Sequence, residues 1–144
     1  MRDNLHDNAF RVAIAPLATA VAGNSAIVGI WIDRLGFEGL TFGILTGALA
    51  DTDATFAVLV EEANATDQSD VAAVADNDLI SQTDGVAPEV AAGFNFDADT
   101  ATRKIGYIGH KRFARITVTP AGNTGSAPIA AVAVLSHAST RPVL

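Results

Sequence analysis

The chain of 144 residues contains no cysteine. Disulfides, thiolate metal sites and a cysteine nucleophile are therefore excluded, and stability has to come from packing or assembly. Aromatic side chains are scarce, with seven Phe, one Trp and one Tyr, so the apolar fraction of 49% rests largely on Ala and Val. A core built this way is thin and leaves apolar surface for partners. Basic residues are also few. Nine Lys and Arg against sixteen Asp and Glu give a net charge of −7, which argues against specific nucleic-acid binding, because that affinity comes mainly from neutralising phosphates. The apolar run from Val12 to Gly23 is too short to span a bilayer and contains Pro16. The polar, acid-bearing start Met1 to Asn8 lacks the shape of a secretory signal. The expectation is a soluble protein made without export, with no membrane partner.

The charge that is present is unevenly placed. Five of the nine basic residues fall between Arg103 and Arg115, whereas Asp51 to Asp99 holds twelve acidic residues and no Lys or Arg. Poles of opposite sign can steer a chain against copies of itself or against a charged partner. The basic segment reads as two strands joined at Gly109 to Lys111, with Ala114, Ile116 and Val118 inward and Arg115, Thr117 and Thr119 outward. Arg103, Lys104, Lys111, Arg112 and Arg115 are thus interface candidates, with a merely solvated strand face as the plain alternative.

The length suits one domain, which at this size buries about 70% of the surface of its unfolded chain. Residues 1–9 are expected to be a mobile N-terminus, 10–137 a β-sandwich domain, and 138–144 an extended C-terminal tail. Phe10, Val12 and Ile14 share one side of an extended N-terminal arm, which Pro16 confines to a sheet edge. They form a second set of interface candidates, since an apolar edge segment can pair with a neighbouring sheet. Ala26 to Asp33 is apolar on both faces and predicts one strand buried on both. Alternation then places Leu40, Phe42 and Ile44 together, and Phe56, Val58 and Val60 together. The stretch from Ala63 to Thr102 loses this pattern, apart from a helical turn around Val86 to Ala92 with Pro88 near its start. Strands return at Lys104 to Ile108, Phe113 to Thr119 and Ile129 to Ser136. The last two are joined by Pro120 to Pro128, whose Gly and Asn suit a hairpin reversal. Ile129 to Leu135 lacks polar alternation, so that strand is central or covered by another subunit. The fold class is all-β: a single-domain antiparallel β-sandwich, jelly-roll-like.

Chemistry finds little purchase. His6, His110 and His137 lie in the N-terminus, a turn and a strand end, none with a second His at metal-ligand spacing. Nucleophile elbows, phosphate loops and His-Glu-x-x-His are missing, so the expectation is a non-enzyme with no catalytic residues and no cofactor. Asp51/Asp53, Asp76/Asp78 and Asp97/Asp99 are weak calcium candidates, better explained by Asp bonding to turn amides. Trp31 and Tyr107 could stack a sugar, although core or interface roles suit them better.

Several strings, in this order, carry a resemblance: Leu35-Gly-Phe-Glu-Gly-Leu; Phe56 with Val58 and Glu61-Glu62; Asp78-Leu-Ile; Gly106-Tyr-Ile-Gly-His-Lys-Arg-Phe-Ala-Arg-Ile; and Ala130 to Leu135. Over about Phe10 to His137 the chain resembles a family of small tailed-bacteriophage and prophage structural proteins. The Gly-Tyr-Ile-Gly string is the most specific part, whereas the Asp-rich stretch from Asp67 to Asp99 and the aromatics Phe94 and Phe96 depart from the pattern. The resemblance implies a capsid decoration or cement protein made in the host cytoplasm. Such a protein binds the outside of the head, bridges major capsid protein subunits, and commonly forms homotrimers. A head-completion or tail protein, or a carbohydrate-binding host-attachment module, are the alternatives.

Overall fold

A computed structural model describes residues 3–17 and 21–143. Residues 1–2 of the expected mobile N-terminus, 18–20 of the apolar run and 144 of the expected tail lie outside the described residues. The strands are β1 (Ala9–Ile14), β2 (Ile27–Val28), β3 (Ile32–Asp33), β4 (Phe37–Thr46), β5 (Thr55–Ala63), β6 (Ala72–Ala73), β7 (Leu79–Ile80), β8 (Phe94–Asn95), β9 (Thr102–Tyr107), β10 (Phe113–Ala121) and β11 (Ile129–Ala138). One short helix, α1 (Pro88–Ala92), starts on its proline as the sequence suggests.

Two antiparallel sheets pack together. Sheet one runs β1-β11-β4-β9-β7, and sheet two runs β2-β10-β5-β6, with β3 also on β10 and β8 on β5. With β2 and β3 taken as one interrupted strand, the path alternates between sheets from β1 to β5 and again from β9 to β11, and the first and last long strands pair with each other. That winding is a jelly roll.

Alternation explains the core. Phe42 and Ile44 on β4, Ile105 on β9 and Leu135 on β11 face Phe56 and Val60 on β5 and Ile116 and Val118 on β10, all of them buried. Each such side chain contributes roughly 1.5–3 kcal/mol by leaving water. Phe94 stacks on Phe56 with ring centroids 4.8 Å apart, so this departure from the resembled pattern fills the end of the same core.

Four expectations need correction. Ala26 to Asp33 is not one doubly buried strand, because it breaks into β2 and β3 and leaves Val28 and Ile30 exposed. In the break, Gly29 N donates to Ile116 O at 2.9 Å and Ile30 N to Ala13 O at 2.7 Å, so the chain leaves β10 for β1 and closes that side of the sandwich. A Cβ on Gly29 would sit 2.3 Å from the Ile116 carbonyl oxygen, which only glycine avoids. The loop from Pro120 to Pro128 is not a hairpin, since it carries the chain from sheet two to sheet one. Ile14 does not share a side with Phe10 and Val12, because a bulge between Val12 and Ile14 turns it into the core. The tail leaves β11 but folds back: Val143 N donates to His6 O at 2.9 Å, and Arg141 pairs with Asp7 at 3.3 Å.

Candidate interaction surface

The basic segment forms the crossover from β9 in sheet one to β10 in sheet two, and its charges at Lys111, Arg112 and Arg115 are engaged inside the chain. The Tyr107 side chain plugs the core, and its hydroxyl donates to Glu62 Oε2 at 2.6 Å while accepting from Lys111 N at 3.1 Å. Burial, reinforced by the Glu62 carboxylate, pushes the Tyr107 hydroxyl pKa well up and keeps it a donor. Lys111 Nζ lies 3.9 Å from Glu62 Oε1. Arg112 grips Asp33 through two bonds of 2.9 and 2.6 Å, which hold the Asp33 carboxyl below its ordinary range. Arg115 Nε donates to Glu61 Oε2 at 2.7 Å, with its guanidinium 4.5 Å from the centre of the Trp31 ring.

Arg34, which sequence reasoning passed over, is only 9% exposed. Its guanidinium stacks 4.6 Å from the Tyr107 ring centre and donates to the carbonyls of Gly109, Lys111 and Glu38 at 2.7, 2.9 and 2.9 Å. The Gly-Tyr-Ile-Gly string now has a physical reason, because a Cβ on Gly109 would lie 2.5 Å from the Tyr107 hydroxyl oxygen. Both terminal nitrogens of Arg34 are used on these carbonyls, and a buried guanidinium bonded to three carbonyls rigidifies a junction. Three of the five basic interface candidates, Lys111, Arg112 and Arg115, are thus paired with carboxylates of sheet two, Glu62, Asp33 and Glu61.

The other two candidates lie on sheet one. Arg103 is half-buried at the sheet's end, and Lys104 projects from the outer face. Around Lys104, register builds an apolar grid. One row crosses all five strands as Phe10, Val134, Thr41, Gly106 and Ile80; the next runs Val12, Val132, Gly43 and Lys104; a third joins Ala130, Leu45 and Thr102. Phe10 is 57% exposed, Val12 and Ile80 are each 52%, and Leu45 is 47%. No acidic residue stands in these three rows, and Lys104 is their one charged group. Shallow hollows of about 300 Å³ lie along the grid, one between β1 and Leu45 and one between Ile80 and Lys104. The exposed apolar side chains here adjoin one another along paired strands and are not scattered singly. Only half of this face was legible in advance, from Phe10, Val12 and the unalternating β11; the contributions of Leu45 and Ile80 emerge from pairing.

The remaining candidates do not converge. Asp51 accepts from Thr124 N and Oγ1 at 2.7 Å and from Asp53 N at 3.0 Å, and these bonds, the Thr124 hydroxyl first, hold its carboxyl at about 2. Asp99 accepts from Leu49 N at 2.7 Å, Asp97 faces the Asn95 amide, and Asp76 and Asp78 sit on one turn of 3-10 helix. Among the described residues no three His, Asp or Glu side chains gather as metal ligands would. Trp31 lies under Arg115 and Tyr107 is buried, so the two aromatics make no common platform. His6 pairs with Asp3, His137 approaches Ser136 Oγ at 3.1 Å, and His110 is exposed beside the crossover.

No family model matches the chain, and no curated protein matches it in sequence. Solved structures are similar to it in three dimensions. The SPBc2 prophage-derived protein YomS superposes with a TM-score of 0.53 at 9% identity, covering 90% of this chain and 92% of that one. The VP2 subviral particle of infectious bursal disease virus gives 0.44 at 10% identity over 94% of this chain and 33% of that chain. The CBM22-1–GH10 modules of Clostridium thermocellum xylanase 10B, complexed with xylohexaose, give 0.40 at 12% identity over 95% and 27%. At these identities the likeness to YomS is one of fold, along nearly the full length of both chains, and the other two are too remote to carry an argument.

Proposed function

We propose that this chain is a non-enzymatic structural protein of a bacteriophage or prophage virion, acting as a decoration or cement protein on the outside of the head. The observation that carries this reading is the uncovered apolar face of sheet one. A cysteine-free jelly roll whose ion pairs are internal still presents, across five strands, a surface that water disfavours and that a protein neighbour would cover. The full-length fold likeness to a prophage-derived protein and the phage-like strings around Tyr107 support the same direction. The mechanism is mechanical: many copies joined to the major capsid protein and to one another, each contact weak and their sum strong, hold a shell against internal pressure.

Copy number tests the role. Quantitative mass spectrometry of purified virions should find the chain at an abundance near that of the major capsid protein. A few copies per particle would move it to a head-completion or tail position, and its absence from particles would overturn the structural reading. The carbohydrate-binding alternative finds no aromatic platform in Trp31 and Tyr107.

A further inference from the structure

Bridging a shell demands at least two attachment points, and the apolar face of sheet one supplies one. Away from that face, a hollow of about 430 Å³ lies off the edge of sheet two, between α1 and β5, with Phe56, Val58, Glu89, Val90 and Phe94 in its lining. We propose that this hollow takes a lysine side chain of a different protein, its alkyl stem along the apolar wall and its ammonium against the Glu89 carboxylate. The virion-structural reading gives this contact its purpose, while its geometry and chemistry stand apart from that reading.

The hollow exists because the ladder along β5 is interrupted. β8 pairs with β5 at Thr55 and Phe56, and β6 pairs with it at Glu61 and Glu62. Between them, Val60 turns its N–H and C=O to this edge: its N donates to Glu89 Oε1 at 2.6 Å, and its O accepts from Val74 N at 2.9 Å. Backbone groups alternate in direction along a strand, so Val58 turns its own N–H and C=O the same way, where neither β6 nor β8 reaches them. The Val58 side chain is buried in the core, so the part of Val58 that borders the hollow is this backbone. Its carbonyl is the acceptor next to Val60 N along the edge.

Charge and shape then select the occupant. Glu89 accepts at Oε1 and leaves Oε2 free, and no Lys, Arg or His pairs with it among the described residues. Burial, with the like charge of Asp76 added, pushes its carboxyl above the ordinary range even though Val60 N bonds it. A carboxylate so placed gains from a cation, and none is near in sequence because Asp51 to Asp99 carries no Lys or Arg. Val90 is 71% exposed, and the stacked rings of Phe56 and Phe94 border the same hollow; a bare ammonium leaves this wall wet, whereas an alkyl stem covers it. One free carboxylate oxygen and one strand carbonyl suit the separately directed donors of an ammonium, while the fork of a guanidinium prefers both oxygens of one carboxylate. The net charge of −7 sets copies of this chain against one another, which favours a different protein as the bearer of the lysine.

Titration of the isotope-labelled full chain with n-butylammonium chloride, a lysine side chain without its backbone, tests the proposal by NMR. The amide signals of Val58, Val60, Glu89 and Val90 should shift saturably, with a dissociation constant of about 1–50 mM, the range open to so small a ligand. Ammonium chloride lacks the stem and n-butanol lacks the charge, so each should bind about fivefold more weakly or worse. Glu89→Gln keeps an oxygen for Val60 N and should weaken n-butylammonium by a similar factor, with near-UV circular dichroism showing that the variant is folded. No saturable shift with n-butylammonium, equal binding of n-butanol, or undiminished binding to Glu89→Gln would each overturn the proposal. Tighter binding of n-butylguanidinium would overturn the assignment to lysine. Shifts of the same amides that grow with protein concentration and no probe would give the hollow to Lys104 of a second copy, and would overturn the assignment to a different protein. None of these outcomes alters the copy number in virions, which tests the structural role separately.

Discussion

The two sheets of this sandwich have similar inner faces and unlike outer ones. Sheet two carries Arg115 against Glu61 and Trp31 on its outside, and Arg112 against Asp33 at its margin. Sheet one carries Phe10, Val12, Leu45 and Ile80 in the open, with Lys104 as the charged member of three rows. Sheet two has paired its charges within itself, although Val28, Ile30 and Leu59 stay exposed there, while sheet one leaves an apolar row open across all five of its strands. Charge segregation along the sequence is therefore a poor guide to where a partner binds, because opposite charges far apart in the chain find each other on folding.

The sharpest contrast is within β4 and β1 of sheet one. Phe42→Ala, on the inner side, removes a fully buried ring and should lower unfolding free energy by about 3–5 kcal/mol, read from urea denaturation. Phe10→Ala, on the outer side, should change it by about 0.5 kcal/mol or less while weakening association. Equal losses from the two would break the distinction between core and interface.

At the junction of the sheets, Arg34→Ala strands three carbonyl acceptors and uncovers the Tyr107 ring, for a loss of about 3 kcal/mol in the same measurement. Arg34→Lys should recover little of it, since one ammonium cannot span donors spread over Gly109, Lys111 and Glu38. A fully stable Arg34→Lys chain would show that charge alone, and not the guanidinium fork, holds the crossover.

On sheet two, Arg115→Ala should cost only about 1 kcal/mol or less, as partly exposed ion pairs do, and should leave association unchanged. Trp31 is the single tryptophan, so its emission should shift when the guanidinium over its ring is removed. Loss of association in this variant would return the basic segment to the role of docking face.

The smallest effect is one of pH. The folded chain holds Asp51 at about 2 against an ordinary 3.8, mainly through the Thr124 hydroxyl, so folding favours its ionised form. That stabilisation is complete above about pH 4 and is lost as pH falls through about 2. Asp33, Asp67 and Asp70 are lowered in the same direction. The Tm should fall over this window, and Asp51→Asn should make the fall shallower; an unchanged slope would place the acid sensitivity elsewhere.

Much of the fold was legible because the alternation in β4, β5 and β10 records one wet and one dry side, a signal that needs no partner to read. Pairing was not legible. Ala26 to Asp33 has the composition of a buried strand, yet its break is set by the carbonyls of Ile116 and Ala13, both distant in sequence. Pro120 to Pro128 has the residues of a reversal, and only the sheet order shows that it crosses. The basic residues misdirect for the same reason: Asp33 stands 79 positions from Arg112, and Glu61 stands 54 from Arg115. The apolar face was half visible in β1 and β11, while Leu45 and Ile80 join it through a register that no local pattern encodes.

The central claim is that the outer face of sheet one is covered in the assembled particle. The absence of cysteine allows a direct measurement: Thr41→Cys places the only thiol of the chain at the middle of that face, and its maleimide labelling rate can be compared between free chain at low concentration and intact virions. The account predicts rapid labelling of the free chain and strong protection in the particle. Equal rates in the two would mean that the face stays open to water, and the account would be contradicted.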